Sequence, residues 1–213
     1  MKVLDVPQCG KLGMTVTWPG RNGLIRRAYA IPANPRTFDQ LTVRNRLQTV
    51  TAGWRTLTDA QQDAWTALAA QHQTKSVLGQ SGPLTGIQLY TKINCSLLVI
   101  GGSIVTAPPA YPSFALLPVT GLEITNAAGT VALSLTTTDS PPDGTMLWGA
   151  APQSAGSRRP VSWRFLGTLD TPVANKIAVT ASYTSQFGAP AVDDRVFVKV
   201  NSNINGWQDV PLL

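Results

Sequence analysis

Hydrophobic residues at helical spacing dominate the chain between residues 37 and 100, in three stretches that share one start signal. Each stretch begins with Thr-x-x-Gln, at Thr37, Thr58 and Thr85. In that pattern the threonine hydroxyl caps the third amide of a helix, and the glutamine side chain returns to the threonine amide. Gly101-Gly102 then stops the third stretch. We therefore predict three helices, which form a small three-helix domain over residues 37–105.

The apolar positions of these stretches define the faces that we expect to pack together. They are Leu47, Val50, Trp54 and Leu57 in the first stretch, Ala64, Trp65 and Leu68 in the second, and Ile87, Tyr90, Ile93, Leu97 and Ile100 in the third. We interpret Trp54 and Trp65 as core residues between packed helices and not as residues that stack on a ligand.

Beyond a Pro-rich segment at residues 106–112, which reads as a stiff linker, the pattern changes to alternation typical of strands. Candidate strands cover residues 121–125, 130–136, 145–150, 161–169, 175–184 and 195–201. In the last of them Val196, Val198 and Val200 share one face. Short strands at this spacing predict an antiparallel β-sandwich over residues 113–213, of immunoglobulin or fibronectin type III kind. The fibronectin-like variant is favoured because the paired cysteines of an antibody domain are missing.

Residues 1–36 are rich in glycine and proline and contain two short candidate strands, at 14–18 and 24–31. Such a segment has too little apolar surface to fold alone. We expect an extended basic arm that pairs with another element or reaches a neighbouring subunit. The predicted fold class is therefore α+β and multidomain, with an arm, a three-helix domain, a linker and a β-sandwich.

Charge is unevenly distributed along the chain. Residues 1–110 hold 11 Lys and Arg against 4 Asp and Glu, a net charge of +7, whereas residues 111–213 hold 6 against 7, a net charge of −1. Seven arginines fall within 35 positions: Arg21, Arg26, Arg27, Arg36, Arg44, Arg46 and Arg55. Guanidinium groups bind carboxylates and phosphates in a bidentate manner, so these residues are the candidate interaction site for protein or phosphate.

Two partners fit the arginine cluster, and the sequence leaves both open. The arginines contact acidic groups on neighbouring protein subunits, or they contact a nucleic-acid backbone. The second predicted helix has no Arg or Lys between Asp59 and Gln73, which counts against sequence-specific DNA recognition by a helix-turn-helix.

Catalytic and metal-binding patterns are missing from the sequence. His72 is the one histidine, no phosphate-binding glycine loop opens a helix, and Asp193-Asp194 reads as a solvated turn. For Cys9 and Cys95 we favour two free, buried thiols over a disulfide. We expect no enzymatic activity, cofactor, metal or small-molecule substrate. The longest apolar run, 97–100, is too short for a membrane span and no secretory signal is visible, so we expect synthesis in the cytoplasm.

One motif resembles a known group of proteins. It consists of Pro32-Ala33-Asn34-Pro35-Arg36-Thr37, Gln40, Arg44, Trp54-Arg55-Thr56-Leu57-Thr58, Gln61 and Ala64-Trp65. The order and spacing resemble a loosely defined group of phage and prophage proteins that are uncharacterised or called virion structural proteins. The resemblance covers roughly residues 20–100 and has no catalytic residues to transfer. It implies a bacteriophage virion component made in the host bacterial cytoplasm, in capsid decoration, head–tail joining, or the tail tube or tip.

The leading hypothesis is thus a non-enzymatic virion structural protein whose partners are other virion proteins, including further copies of itself. The first alternative is a nucleic-acid-binding accessory protein that uses the arginines. The weaker alternative is a module that binds host surfaces or glycans, with Trp148 or Trp163 as a stacking platform.

Overall fold

The computed structural model of the chain describes residues 9–20, 23–31, 33–73, 82–127 and 129–209. Within these residues the fold is α+β, with four helices and several small antiparallel sheets. The elements are β1 (Gly10–Leu12), β2 (Thr15–Gly20), β3 (Gly23–Ala28), α1 (Phe38–Trp54), α2 (Asp59–Ala69), α3 (Gly86–Val99), β4 (Val119–Ala127), β5 (Thr130–Thr137), β6 (Met146–Gly149), β7 (Arg164–Thr168), β8 (Lys176–Ala178), α4 (Thr180–Phe187), β9 (Val198–Asn201), β10 (Asn203–Ile204) and β11 (Trp207–Gln208).

The predicted starts of the first three helices are confirmed. Thr37, Thr58 and Thr85 are the N-cap residues of α1, α2 and α3, and each has an extended backbone. The Thr58 amide donates to Oε1 of Gln61 at 3.0 Å, and the Gln61 amide donates to Oγ1 of Thr58 at 3.4 Å. Gly101 follows α3 with a φ of 79°, a left-handed conformation that ends a helix.

The first three helices share one apolar core, which is organised around Tyr90. The rings of Trp54 and Trp65 lie edge-on to Tyr90, with centroids 5.3 and 5.2 Å away. Trp65 is confirmed as a buried core residue, and Trp54 is half-buried against the same core. Leu57 is buried in the same core, but it lies beyond the end of α1. The expectation that it belongs to the helix was wrong, because Arg55 already caps α1.

The second half of the chain contains two three-stranded antiparallel sheets, in the orders β4-β5-β8 and β7-β6-β9. Side chains from both sheets meet in one apolar core. Leu133, Leu135 and Ile177 come from the first sheet, and Leu147 and Val200 come from the second. Each of the six candidate strands overlaps a strand of these sheets.

The candidate strand at residues 175–184 was wrong over most of its length. Three residues form β8, and the chain then turns into α4. The Val179 amide still donates to the Leu133 carbonyl at 2.9 Å, but the Thr180 hydroxyl replaces the second bond of that rung, because its Oγ1 accepts from the Leu133 amide at 2.8 Å. The same hydroxyl also lies 3.1 Å from the Leu133 carbonyl, to which it donates. Helical geometry then points Tyr183 into the core, where its hydroxyl donates to the Ala150 carbonyl at 2.8 Å.

The C-terminal hairpin of β10 and β11 packs on the helical core and also reaches the second sheet, where the side-chain amides of Asn203 and Gln208 lie 3.9 and 4.0 Å from Sδ of Met146 on β6. Trp207 is buried among the core side chains of the helices, and its indole N–H donates to the Pro109 carbonyl at 3.3 Å. The side-chain amide of Asn203 donates to the backbone carbonyl and to the hydroxyl of Ser96 on α3. The segment at residues 106–112 is held in the same way, since the Trp65 indole donates to the Thr106 carbonyl at 2.8 Å.

Candidate interaction surfaces

The predicted arginines are distributed over two elements and do not form a single pocket. Arg26 and Arg27 lie on β3, Arg44 and Arg46 lie on α1, Arg36 and Arg55 flank α1, and Arg21 lies outside the described residues. Among the described residues, no carboxylate lies within ion-pair distance of Arg27, Arg36, Arg44, Arg46 or Arg55. These cations are therefore available to a partner.

The arm formed by β1, β2 and β3 has no hydrophobic core of its own. Every residue of β1 and β3 is exposed, including Leu12 at 64%, Leu24 at 49% and Ile25 at 43%. The extensive contacts of these strands are with one another, between β1 and β2 and between β2 and β3, and not with the helices or the other sheets. Two cations lie over aromatic rings of the arm, Lys11 over Tyr29 at 3.8 Å and Arg27 over Trp18 at 4.8 Å.

The first half of α1 also leaves apolar side chains uncovered. The buried residue of α1 is Val50, in the second half of the helix. In the first half and at the middle, Phe38, Val43 and Leu47 are 82%, 61% and 47% exposed. An open apolar groove lies between α1 and α3, lined by Leu47, Thr51, Ile87, Gln88, Thr91 and Lys92. The second half of α1 therefore packs on the helical core, whereas its first half extends beyond that core into solvent.

Trp148 and Trp163 lie on the outer side of the second sheet, where Lys199 occupies the space between them. The Lys199 ammonium is 5.0 Å from the centroid of each indole, and burial lowers the pKa of this lysine. The edge of Phe165 contacts Trp148, with centroids 5.3 Å apart. A sugar ring needs an open aromatic face, so this arrangement does not favour the two tryptophans as a stacking platform.

His72 lies against an aromatic cluster between α2 and the C-terminal hairpin. Its ring centroid is 4.7 Å from that of Trp207 and 5.5 Å from that of Tyr111. Burial, and secondarily the positive charge of Lys92, lower the pKa of His72. The imidazole is therefore a packed, uncharged group at neutral pH.

The cysteines and acidic residues are placed apart from one another. Both thiols are free; Cys95 is half-buried and Cys9 is exposed, so the expectation of two buried thiols was wrong for Cys9. Asp194 accepts from the Ala191 amide at 2.8 Å within a turn. Among the described residues, no three His, Cys, Asp or Glu side chains are grouped so that they could hold a metal ion.

No family model, curated protein sequence or solved structure matches this chain. Within the part of the chain that the structure describes, no helix has the length and apolar character needed to cross a membrane.

Proposed function

We propose that this protein is a non-enzymatic structural component of a tailed bacteriophage or phage-like virion. Its basic arm and its helices, which we propose as a three-helix domain, dock onto neighbouring capsid or tail subunits. The virion assignment rests on the motif between Pro32 and Trp65, and the docking role rests on the arm.

The observation that carries the docking role is a three-stranded sheet without a core. A small sheet that exposes its apolar side chains on both faces is not stable by itself in water. Leu12, Leu24 and Ile25 are such side chains, and the arm finds no cover for them among the described elements. The arm is therefore best explained as an element that becomes buried in an assembly.

We further propose that the second half is a projecting β-sandwich of immunoglobulin or fibronectin type III kind. The shared apolar core of the sheets β4-β5-β8 and β7-β6-β9 supports this, because two packed layers are what a sandwich requires. The chain also crosses from one sheet to the other three times, from β5 to β6, from β7 to β8 and from β8 to β9, as in Greek-key sandwiches.

The alternative partner of the arm is nucleic acid. The basic and aromatic residues of the arm favour it, since Arg27 with Trp18 and Lys11 with Tyr29 present cations beside rings that stack on bases. Association of this kind depends on phosphate contacts and weakens steeply as salt rises.

Light scattering of the full chain distinguishes the two functions. We expect a defined multimer without DNA that persists from low to high salt, because apolar contacts are not screened. A monomer that associates when duplex DNA is added, and that dissociates again at high salt, would contradict the structural role and favour the nucleic-acid role.

A further inference from the structure

An apolar cleft of about 300 Å³ lies between the two sheets of the second half, where β4 and β9 are neighbours. Val119 and Leu122 line one side, and Val196, Val198 and Val200 line the other. β4 is the edge of one sheet and β9 is the edge of the other, so within the described residues neither has a strand beside it at the cleft. The chain leaves this seam open, because after β9 it turns away into the β10-β11 hairpin.

The backbone of β9 offers an unused set of hydrogen-bonding groups at this seam. The Ala150 amide donates to the Phe197 carbonyl at 3.1 Å, so Phe197 faces β6. Backbone direction alternates along a strand, so Lys199 and Asn201 face β6 as well. The N–H and C=O groups of Val198 and Val200 consequently point away from β6, towards the open edge. Val196 precedes β9 and lies between Arg195, which bridges to Gln153, and Phe197, which bonds to Ala150, so its backbone groups point the same way.

This edge lacks the features that normally prevent strands from pairing with other molecules. Natural edge strands carry prolines, bulges or projecting lysines for that purpose. Residues 196–201 contain no proline, β9 pairs with β6 without a register shift, and Lys199 is held over Trp148 and Trp163. The neighbouring edge differs, since β4 has a register shift between Val119 and Gly121.

We propose that residues 196–200, which include the start of β9, pair antiparallel with the same residues of a second copy about a two-fold axis at Val198, which joins two sheets into one of six strands. This inference rests on the proposed assembly function and names one contact of it. Val198 then faces Val198 of the partner subunit, and Val196 faces Val200 of the partner subunit. The facing residues on the cleft side are all valines, and on the outer side Phe197 faces Lys199 of the partner subunit.

In this register no two side chains of like charge lie opposite each other across the paired strands. The register places Asp194 opposite Ser202 of the partner subunit, so like charges do not meet across the strands. The exposed strand β3 of the arm fits the same edge less well. Its residues alternate as Leu24 and Arg26 on one face and Ile25 and Arg27 on the other. Either face of β3 would therefore put a guanidinium group into the apolar cleft, at a desolvation cost.

Val198→Pro in the full chain tests the pairing. The Val198 N–H points away from β6, so proline leaves the internal ladder intact while it removes an intermolecular donor. Ile124→Pro is the matched control. Its partner Leu133 already bonds towards Thr180 and Val179, so the Ile124 N–H also points outwards, at a position away from the cleft.

Sedimentation velocity over a concentration series gives the readout, with circular dichroism to verify that both variants are folded. We expect the unsubstituted chain and Ile124→Pro to associate with similar affinity, and Val198→Pro to weaken the association at least roughly tenfold, since it removes a central rung of a short ladder. A chain that stays monomeric without substitution, or a Val198→Pro variant that associates unchanged, would overturn the proposal.

Cysteine cross-linking tests the register without a proline. In a chain that carries Cys9→Ser and Cys95→Ala, Val198→Cys should form a covalent dimer on mild oxidation, because facing Cα atoms lie about 5.5 Å apart. Val196→Cys should not, since four residues of strand place it about 13 Å from its own copy. Equal cross-linking of both variants would contradict the two-fold axis at Val198.

The outcome separates this contact from the broader function. A multimer that resists salt but ignores Val198→Pro would overturn β9 pairing and leave a structural role intact through another surface. Association that requires DNA would instead contradict the structural role.

Discussion

His72 shows how one residue can make the stability of this chain depend on pH. Its ring is packed against Trp207 and Tyr111, and its pKa is lowered from the ordinary value of 6.5. The unfolded chain therefore binds a proton at a pH where the folded chain does not. We expect the contribution of His72 to stability to be complete above about pH 6.5 and to decline as pH falls from there towards the lower, folded pKa.

Urea unfolding between pH 7.5 and 5.5 measures this dependence, and His72→Gln is the comparison because glutamine does not titrate. The sequence has one histidine, so no other imidazole titrates in this interval. The free energy of unfolding should fall more steeply with acidification in the unsubstituted chain than in His72→Gln. If the free energy of unfolding depends on pH in the same way in both proteins, protonation of His72 does not destabilise the folded chain.

Helix α2 owes its start to the capping box of Thr58 and Gln61, and this allows a test at the level of one element. Thr58→Ala removes the acceptor for the Gln61 amide, which should reduce the free energy of unfolding by about 1 kcal/mol. Thr49→Ala is the matched control in α1. Its exposed hydroxyl bonds to the Asn45 carbonyl, so we expect a change within about 0.5 kcal/mol. Thermal or urea unfolding of both variants measures the difference; similar losses would contradict the capping role.

The difference between α2 and α4 explains how much of the fold could be predicted from the sequence. The start of α2 depends on residues three positions apart, so Thr58 and Gln61 reveal it locally. The start of α4 depends on Thr180 bonding to Leu133, which lies 47 positions earlier. Tyr183 and its neighbours have the β-branched and aromatic character of a strand. The contacts that favour a helix here, Thr180 with Leu133 and Tyr183 with Ala150, are distant in sequence.

The candidate surfaces follow the same rule. The arginine cluster was visible in the sequence because it depends on composition alone, and the structure then distributes it over β3 and α1. The shared face of Val196, Val198 and Val200 was also visible as alternation. That this strand is an open edge was not, because it depends on where the chain goes after Asn201.

The C-terminal hairpin contacts both halves of the molecule: Trp207 and Gly206 pack on the helical core, and the side chains of Asn203 and Gln208 reach Met146 of β6. Gly206 has a φ of 86° and lies directly against Ile93 of α3, where any side chain would collide. Trp207 is 3% exposed, and truncation of a buried tryptophan costs about 3 to 5 kcal/mol. We expect the unsubstituted chain to unfold in one transition, and Trp207→Ala to lower the midpoint of both helical and β signals. Circular dichroism and tryptophan fluorescence that remain at their original midpoints would contradict this coupling.

Paired substitutions in the arm separate its exposed apolar side chains from its exposed cations. Leu24→Ser with Ile25→Ser removes exposed apolar groups and keeps the charge, whereas Arg26→Gln with Arg27→Gln removes charge and keeps the apolar groups. If the arm is buried against protein subunits, the serine pair should reduce the multimer mass seen by light scattering at high salt, where charge contacts are already screened. The glutamine pair should then have little effect at high salt.

The opposite result would assign the arm to nucleic acid. In that case the glutamine pair abolishes retention on DNA and the serine pair does not change it, because cations on phosphate make that contact.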